Sequence, residues 1–134
     1  GKTCSAIGVA EEMRSYYKQL GINKKILIVA TPNVQKNFEL QLFDKTKLKN
    51  INGLWNIKAC SGSKFIKEVN PMNVKNLSEE KVVKQIKKII KQSYEFIGYI
   101  EFANQINRIV DKSNKSKMAR KIKEKFSDSM IIVD

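Results

Sequence analysis

Histidine is missing from this chain altogether, and cysteine occurs only twice, at Cys4 and Cys60. The first absence excludes a zinc site of ordinary spacing. It also leaves Cys60, beside Ser61 and Gly62, with no base to activate it as a nucleophile, so a small buried residue is expected there. Two distant cysteines of this kind are expected to be reduced thiols in an intracellular protein. Long apolar runs are missing as well: nothing approaches the roughly 18 residues needed to span a bilayer, and no membrane partner is expected. Residues 3–10 are too short and too small to act as a targeting segment. Tryptophan occurs once, at Trp55, where anchoring an irregular segment to the core is the expected role and stacking on a base the alternative. Arginine is scarce too, with only Arg14, Arg108 and Arg120 among 26 basic residues.

What the chain has in excess is lysine. Its formal charge is +13 over 134 residues, and a surface so basic suits phosphate-bearing partners. Lysine, asparagine and isoleucine together fill well over a third of the positions, however. All three have A/T-rich codons, so genome composition explains such a bias without selection for binding. The charge therefore supports a nucleic-acid reading without carrying it. The length suits one domain, and an apolar fraction of 42% suits a globular one.

Ala6, Ile7, Ala10, Met13, Tyr17 and Leu20 recur at helical spacing, and Gly21 stands where a C-cap glycine belongs, so a helix is expected to begin at residues 1–3. Residues 26–30 are continuously apolar and β-branched, which suits a strand covered on both faces of a parallel sheet. Thr31 and Pro32 then offer an N-cap and a first helical position, with Val34, Phe38 and Leu42 on one face to about residue 43. Residues 44–77 read as a polar, asparagine-rich insert with loop at 70–76, in which residues 56–63 suit a short strand. Ser78, Glu79 and Glu80 open a helix with Val82, Val83, Ile86, Ile89 and Ile90 on one face and lysines on the other. That lysine face is expected to be solvated surface, with nucleic-acid contact as the sharper alternative. Residues 94–99 read as a strand leading into a helix through Phe102, Ile106, Ile109 and Val110. After a lysine- and serine-rich turn at 112–117 come a short helix to about Phe126 and a last strand at 130–133. Strands alternating with helices, without repeats, predict an α/β fold whose mainly parallel sheet is flanked by helices.

The two ends carry the chemistry. Gly1, Lys2 and Thr3 match the last three positions of G-x-x-x-x-G-K-[ST], and a helix follows as that phosphate-binding loop requires. Asp134 follows an apolar strand, where P-loop ATPases hold magnesium opposite the loop's Thr. Three residues at one end are a weak signal, and a terminal aspartate is another. Their joint appearance in the expected context makes a nucleotide site the leading reading.

At this point the chain resembles a superfamily 2 helicase or Snf2-like ATPase. "GKT" with its helix, "ILIVATPNVQKNF", "FIGYIEFAN" and "MIIVD" look like the Walker A tail, motif Ia, motif Ib and the DExx strand. The composition and the insert at 44–77 resemble helicase-like ATPases of large cytoplasmic DNA viruses, which would place the protein in a virion or host cytoplasm. The resemblance implies that residues 1–134 are a partial N-terminal RecA-like P-loop NTPase domain, truncated at both ends. It implies ATP and Mg2+ as cofactors, with Gly1, Lys2 and Thr3 at the nucleotide, Thr3 and Asp134 sharing the metal, and Lys2 and Asp134 as catalytic residues. Thr31, Pro32 and Asn33, with Lys36 just beyond, would touch the sugar-phosphate backbone of DNA or RNA, as would Gly98 and Tyr99. The family's catalytic glutamate and second RecA-like domain are not in the sequence, so these residues alone are expected to hydrolyse ATP poorly. The rivals are a P-loop ATPase of another class, such as a packaging motor, and a non-enzymatic basic nucleic-acid-binding domain.

Overall fold

The structure, a computed structural model, describes residues 2–61, 63–111 and 131–133, with only the backbone of Lys2, Val110, Asp111 and 131–133. Helix α1 (Lys2–Leu20) ends in a Schellman motif. Gly21, at φ +68°, donates its N–H to Lys18, and Ile22 donates to Tyr17 across the same turn. Ile7, Ala10 and Tyr17 are buried as the periodicity predicts, whereas Leu20 lies past the contact and is exposed.

Strand β1 (Ile26–Val29) is buried at every position, which an interior strand of a parallel sheet requires. It lies between β4 (Tyr94–Ile97) and β5 (Ile131–Val133), both parallel to it, so the sheet order is β4-β1-β5. Alternation along β1 divides the core. Ile26 and Ile28 join α1, helix α2 (Pro32–Leu42) and helix α4 (Glu79–Ser93), while Leu27 and Val29 meet Ile97 and Phe102 of helix α5 (Tyr99–Asp111). The expected α/β class and parallel sheet are therefore present. Met130, the predicted turn and helix at 112–126, Gly1, Gly62 and Asp134 lie outside the described residues.

Local chemistry explains the helix starts. Ser78 accepts the Lys81 N–H at 3.2 Å and caps α4, whose Val82 and Ile86 are buried beneath exposed lysines. Thr31 has the extended backbone of an N-cap and Pro32 follows at the first turn, yet the Thr31 side chain makes no capping bond.

The insert at 44–77 is more ordered than its composition suggests. Strands β2 (Lys49–Ile51) and β3 (Leu54–Asn56) form an antiparallel hairpin around Asn52 and Gly53, both at positive φ, the geometry that Asn-Gly favours in a two-residue turn. Trp55 donates its indole N–H to the Leu77 carbonyl at 2.7 Å and packs on the main core, so it anchors the insert as expected. Helix α3 (Lys64–Val69) was not legible, and of the strand expected to run from Asn56 to Ser61-Gly62 only Asn56 is extended, as the end of β3, while residues 57–61 leave the strand for a turn. The apolar residues there are too few and too small to pay out a strand's alternation.

Candidate functional site

Three parallel strands end along one edge of the sheet, and the next residues of each start a new element or lie just beyond the described chain. Ala30, the first residue after β1, donates its N–H to the carbonyl of Ile97, the last residue of β4, at 3.1 Å. This extra ladder bond sets the turn at Thr31 beside the turn at Gly98. Two of the sequence-predicted backbone-contact segments are thus neighbours in space, although 67 residues of sequence separate Thr31 from Gly98.

Both turns open helices at that edge, so the unpaired N–H groups of the first turns of α2 and α5 face the same side. Thr31, Pro32, Asn33 and Lys36 are exposed, and the Thr31 hydroxyl is not engaged in capping. Gln35 braces the loop from behind, its side-chain N–H donating to the Ala30 carbonyl at 2.8 Å. A Cβ at Gly98 would meet nothing within 4 Å, so the space immediately beside its Cα is open among the described residues. Tyr99 is 41% exposed and Ile100 80% exposed. The first turn of α2 carries no acid, whereas α5 has Glu101, which takes Arg108 at 3.3 Å. The α2 start is the more hospitable of the two to an anion. One turn further on, Lys36 borders a groove of about 500 Å³ between α2 and α4, with Lys87 and Lys91 across it and Phe96 in its floor.

The nucleotide residues are less fully described. Gly1 and Asp134 lie outside the described residues, as does the Lys2 side chain. Val133 pairs in register with Val29, so β5 ends at the same edge as β1. Thr3 is half-buried in the first turn of α1. That turn is fastened elsewhere: the neighbouring Cys4 is bonded to Cys60, and Gln41 in the last turn of α2 has its Oε1 within 3.9 Å of the Cys4 sulfur. Between Pro32 and Gln41 α2 extends about 13 Å, so this anchorage lies at the far end of α2 from Thr31. A threonine hydroxyl and a carboxylate are hard oxygen donors that suit Mg2+, but the turn bearing Thr3 lies at the far end of α2 from the edge where β5 ends, so donor chemistry alone supports the pair. Among the described residues no cluster of three or more His, Cys, Asp or Glu is placed to hold one.

The cysteine bridge corrects the expectation of reduced thiols, and with it the expectation that Cys60 is simply buried. Distance along the chain was the wrong guide, because the hairpin and its following turn bring Cys60 back against α1. The thiol argument for an intracellular setting lapses accordingly.

A second constellation was missed outright. Arg14, buried on α1, binds Glu11 through Nε at 2.9 Å and Nη2 at 2.7 Å, and Glu68 of α3 through Nη1 at 3.0 Å and Nη2 at 2.5 Å. Its guanidinium stacks over Phe65, 4.8 Å from the ring centre. Tyr94, at the start of β4, donates its hydroxyl to Glu11 at 2.5 Å. Lys64 donates to the Glu11 carbonyl at 3.1 Å and to Ser15 at 2.6 Å. Burial works to raise the Glu68 carboxyl, but the hydrogen bonds and charge of Arg14, helped by Lys18 and Lys64, outweigh it and hold the group below its usual range. Burial, then the charge of Glu11, pushes the Tyr94 hydroxyl up. The available signal was a Glu and an Arg at helical spacing inside the stripe of Ile7, Ala10 and Tyr17. With every charge paired, this cluster joins α1, α3 and β4 and leaves no free acid or base for chemistry.

No helix among the described residues is long and apolar enough to cross a membrane. No family model, curated protein or solved structure matches the chain.

Proposed function

We propose that the chain belongs to a nucleic-acid-dependent ATPase of the superfamily 2 or Snf2-like kind, as part of its first RecA-like domain, coupling ATP hydrolysis to movement on, or remodelling of, DNA or RNA. The observation that carries this reading is the Ala30–Ile97 bond, which sets the Thr31 and Gly98 turns side by side at the strand ends. Two helix N-termini and an unengaged threonine hydroxyl there suit the sugar-phosphate backbone. Lys36 adds charge one turn away. Gly1, Lys2 and Thr3 would hold the ATP phosphates, Thr3 and Asp134 the Mg2+, and a second RecA-like domain would close the site from outside. Bound magnesium would neutralise charge building on the transferring phosphoryl group, and Lys2 would do the same from the β- and γ-phosphate side. An intracellular or virion setting belongs to this proposal, since that is where its nucleic acid would be.

The test is made in the protein that carries this chain. Lys2→Ala and Asp134→Asn should each abolish nucleic-acid-stimulated ATP hydrolysis while nucleic-acid binding survives. Near-normal hydrolysis in either variant would refute the site. One observation favours a second reading, a basic nucleic-acid-binding domain without ATPase activity: the turn bearing Thr3 is fastened at the far end of α2. Under that reading neither substitution affects any measured activity.

A further inference from the structure

Cys4 sits in the first turn of α1 and is exposed, while Cys60 lies in the turn after β3 and is half-buried. Their sulfurs are bonded, their Cα atoms are 5.2 Å apart, and 56 residues of sequence separate them. That Cα spacing is the ordinary one for a disulfide, so the backbone needs no movement to make the bond. The same place is also furnished for the open state. Gln41 Oε1 lies 3.1 Å from the Cys60 sulfur and 3.9 Å from that of Cys4. A carbonyl oxygen has nothing to accept from a disulfide, whose sulfurs carry no hydrogen, but it accepts readily from a thiol. Cys4 is an exposed residue, so a small thiol can reach its side of the bridge without unfolding of the fold.

We propose that Cys4–Cys60 is a thiol–disulfide exchange site whose co-reactants are a small monothiol and its disulfide, and that its state decides whether the first turn of α1 is fastened at the far end of α2. In the opening direction a thiolate attacks the Cys4 sulfur and forms a mixed disulfide. The Cys4–Cys60 bond breaks, and the Cys60 thiolate leaves and takes up a proton beside Gln41. A second thiolate then attacks the small molecule's sulfur, releasing the Cys4 thiolate, which is protonated in turn. Overall one protein disulfide and two thiols give one protein dithiol and one small disulfide. The two electrons lost by the small thiols are gained by the two cysteines. Closure is the reverse, with the small disulfide as oxidant. Because Thr3 adjoins Cys4, opening would free the turn that carries the proposed metal ligand; that consequence rests on the ATPase reading, and the exchange site itself does not.

The experiment equilibrates the purified protein in buffers of reduced or oxidised glutathione, traps thiols with iodoacetamide without denaturant, and counts alkyl groups by mass. Far-UV circular dichroism and amide hydrogen exchange are recorded on the same samples. Two alkyl groups are expected after reduced glutathione and none after oxidised glutathione, with helical content kept in both. Amide exchange in residues 3–8 should be about tenfold faster or more in the reduced form. Cys4→Ser should show that faster exchange in both buffers. Alkylation that requires denaturant, loss of helical signal on reduction, unchanged exchange at residues 3–8, or a slow-exchanging Cys4→Ser would each overturn the proposal. Failure of the ATPase reading would show separately, as no ATP binding in either redox state with the alkylation and exchange results intact.

Discussion

On the flank where α1 meets α3, a covalent bridge, a guanidinium, two carboxylates, an ammonium and a phenol fasten neighbouring elements to one another. At the edge where β1 and β4 end, backbone bonds and the Gln35 side chain hold the turns among the described residues, and Thr31, Pro32, Asn33 and Tyr99 are exposed. One region spends its polar groups on itself; the other keeps them available. If the edge takes nucleic acid as proposed, stability and binding fall to different parts of one small fold, and substitutions should separate them.

The largest expected effect is on the fastened flank. Removing the bridge with Cys60→Ser frees a loop spanning 56 residues of separation in the unfolded chain, and the chain-entropy account sets the loss at about 4 kcal/mol in an oxidising buffer. In a reducing buffer, wild type and variant should unfold at the same denaturant midpoint. A persistent gap there would mean that the serine disturbs packing as well.

Next comes Arg14→Met, which leaves Glu11 buried without its cation and should cost about 3 kcal/mol. The same variant carries a pH signature. The Glu68 carboxyl lies below its usual value in the folded protein, so its contribution is complete above the unfolded value near 4.3 and is lost as pH falls through the lower folded one. Wild type should therefore lose stability as the pH falls below about 4, and Arg14→Met should lose less over that range. Parallel acid profiles would remove Arg14 from the explanation.

This flank was the part least legible in the sequence, whereas the strand-end edge was read in advance. Ile26 to Ala30 and Thr31-Pro32 declare themselves locally: an apolar run demands a covered strand, and a proline after it demands a helix start. Around Gly98 the strand expected to residue 99 ends at Ile97, and α5 already begins at Tyr99. The ladder order β4-β1-β5 was not so marked, because pairing depends on crossovers rather than on any residue. Glu11, Arg14 and Glu68 were illegible for another reason. A charge inside an apolar stripe announces only that a partner exists, and the partner here lies 54 residues away. The bridge and α3 fell in the same blind spot, in an insert whose asparagines suggested loop. Asn52-Gly53 was the overlooked sign that the insert folds back as a hairpin.

A smaller effect is expected from Tyr94→Phe, which removes one hydrogen bond to the buried Glu11 carboxylate and should cost about 1.5 kcal/mol near neutral pH. Because the folded hydroxyl is pushed up, its contribution is complete below the unfolded value near 10 and declines as pH rises beyond it. Stability of the wild type should therefore fall more steeply than that of Tyr94→Phe in alkaline solution. Equal slopes would show that Tyr94 titrates normally and that the cluster does not hold it.

The smallest effect on stability, and the sharpest test of the comparison, is expected at the open edge. Thr31 caps nothing with its side chain, and Lys36 is exposed on the first turns of α2, so Thr31→Ala with Lys36→Ala should shift stability by no more than about 0.5 kcal/mol. Binding should respond instead. Losing one lysine–phosphate contact lowers the slope of log affinity against log salt by about 1, and the loss should be alike for unrelated base sequences, since backbone contacts carry no sequence information. The measurement is a salt titration of binding to two oligonucleotides of different sequence, beside a denaturant melt of the same variant. If affinity and slope stay unchanged, the edge is not where nucleic acid sits, and the lysine face of α4 inherits the question. If stability falls by as much as it does for Tyr94→Phe, the edge is part of the scaffold after all, and the division between a self-bound flank and an open edge fails.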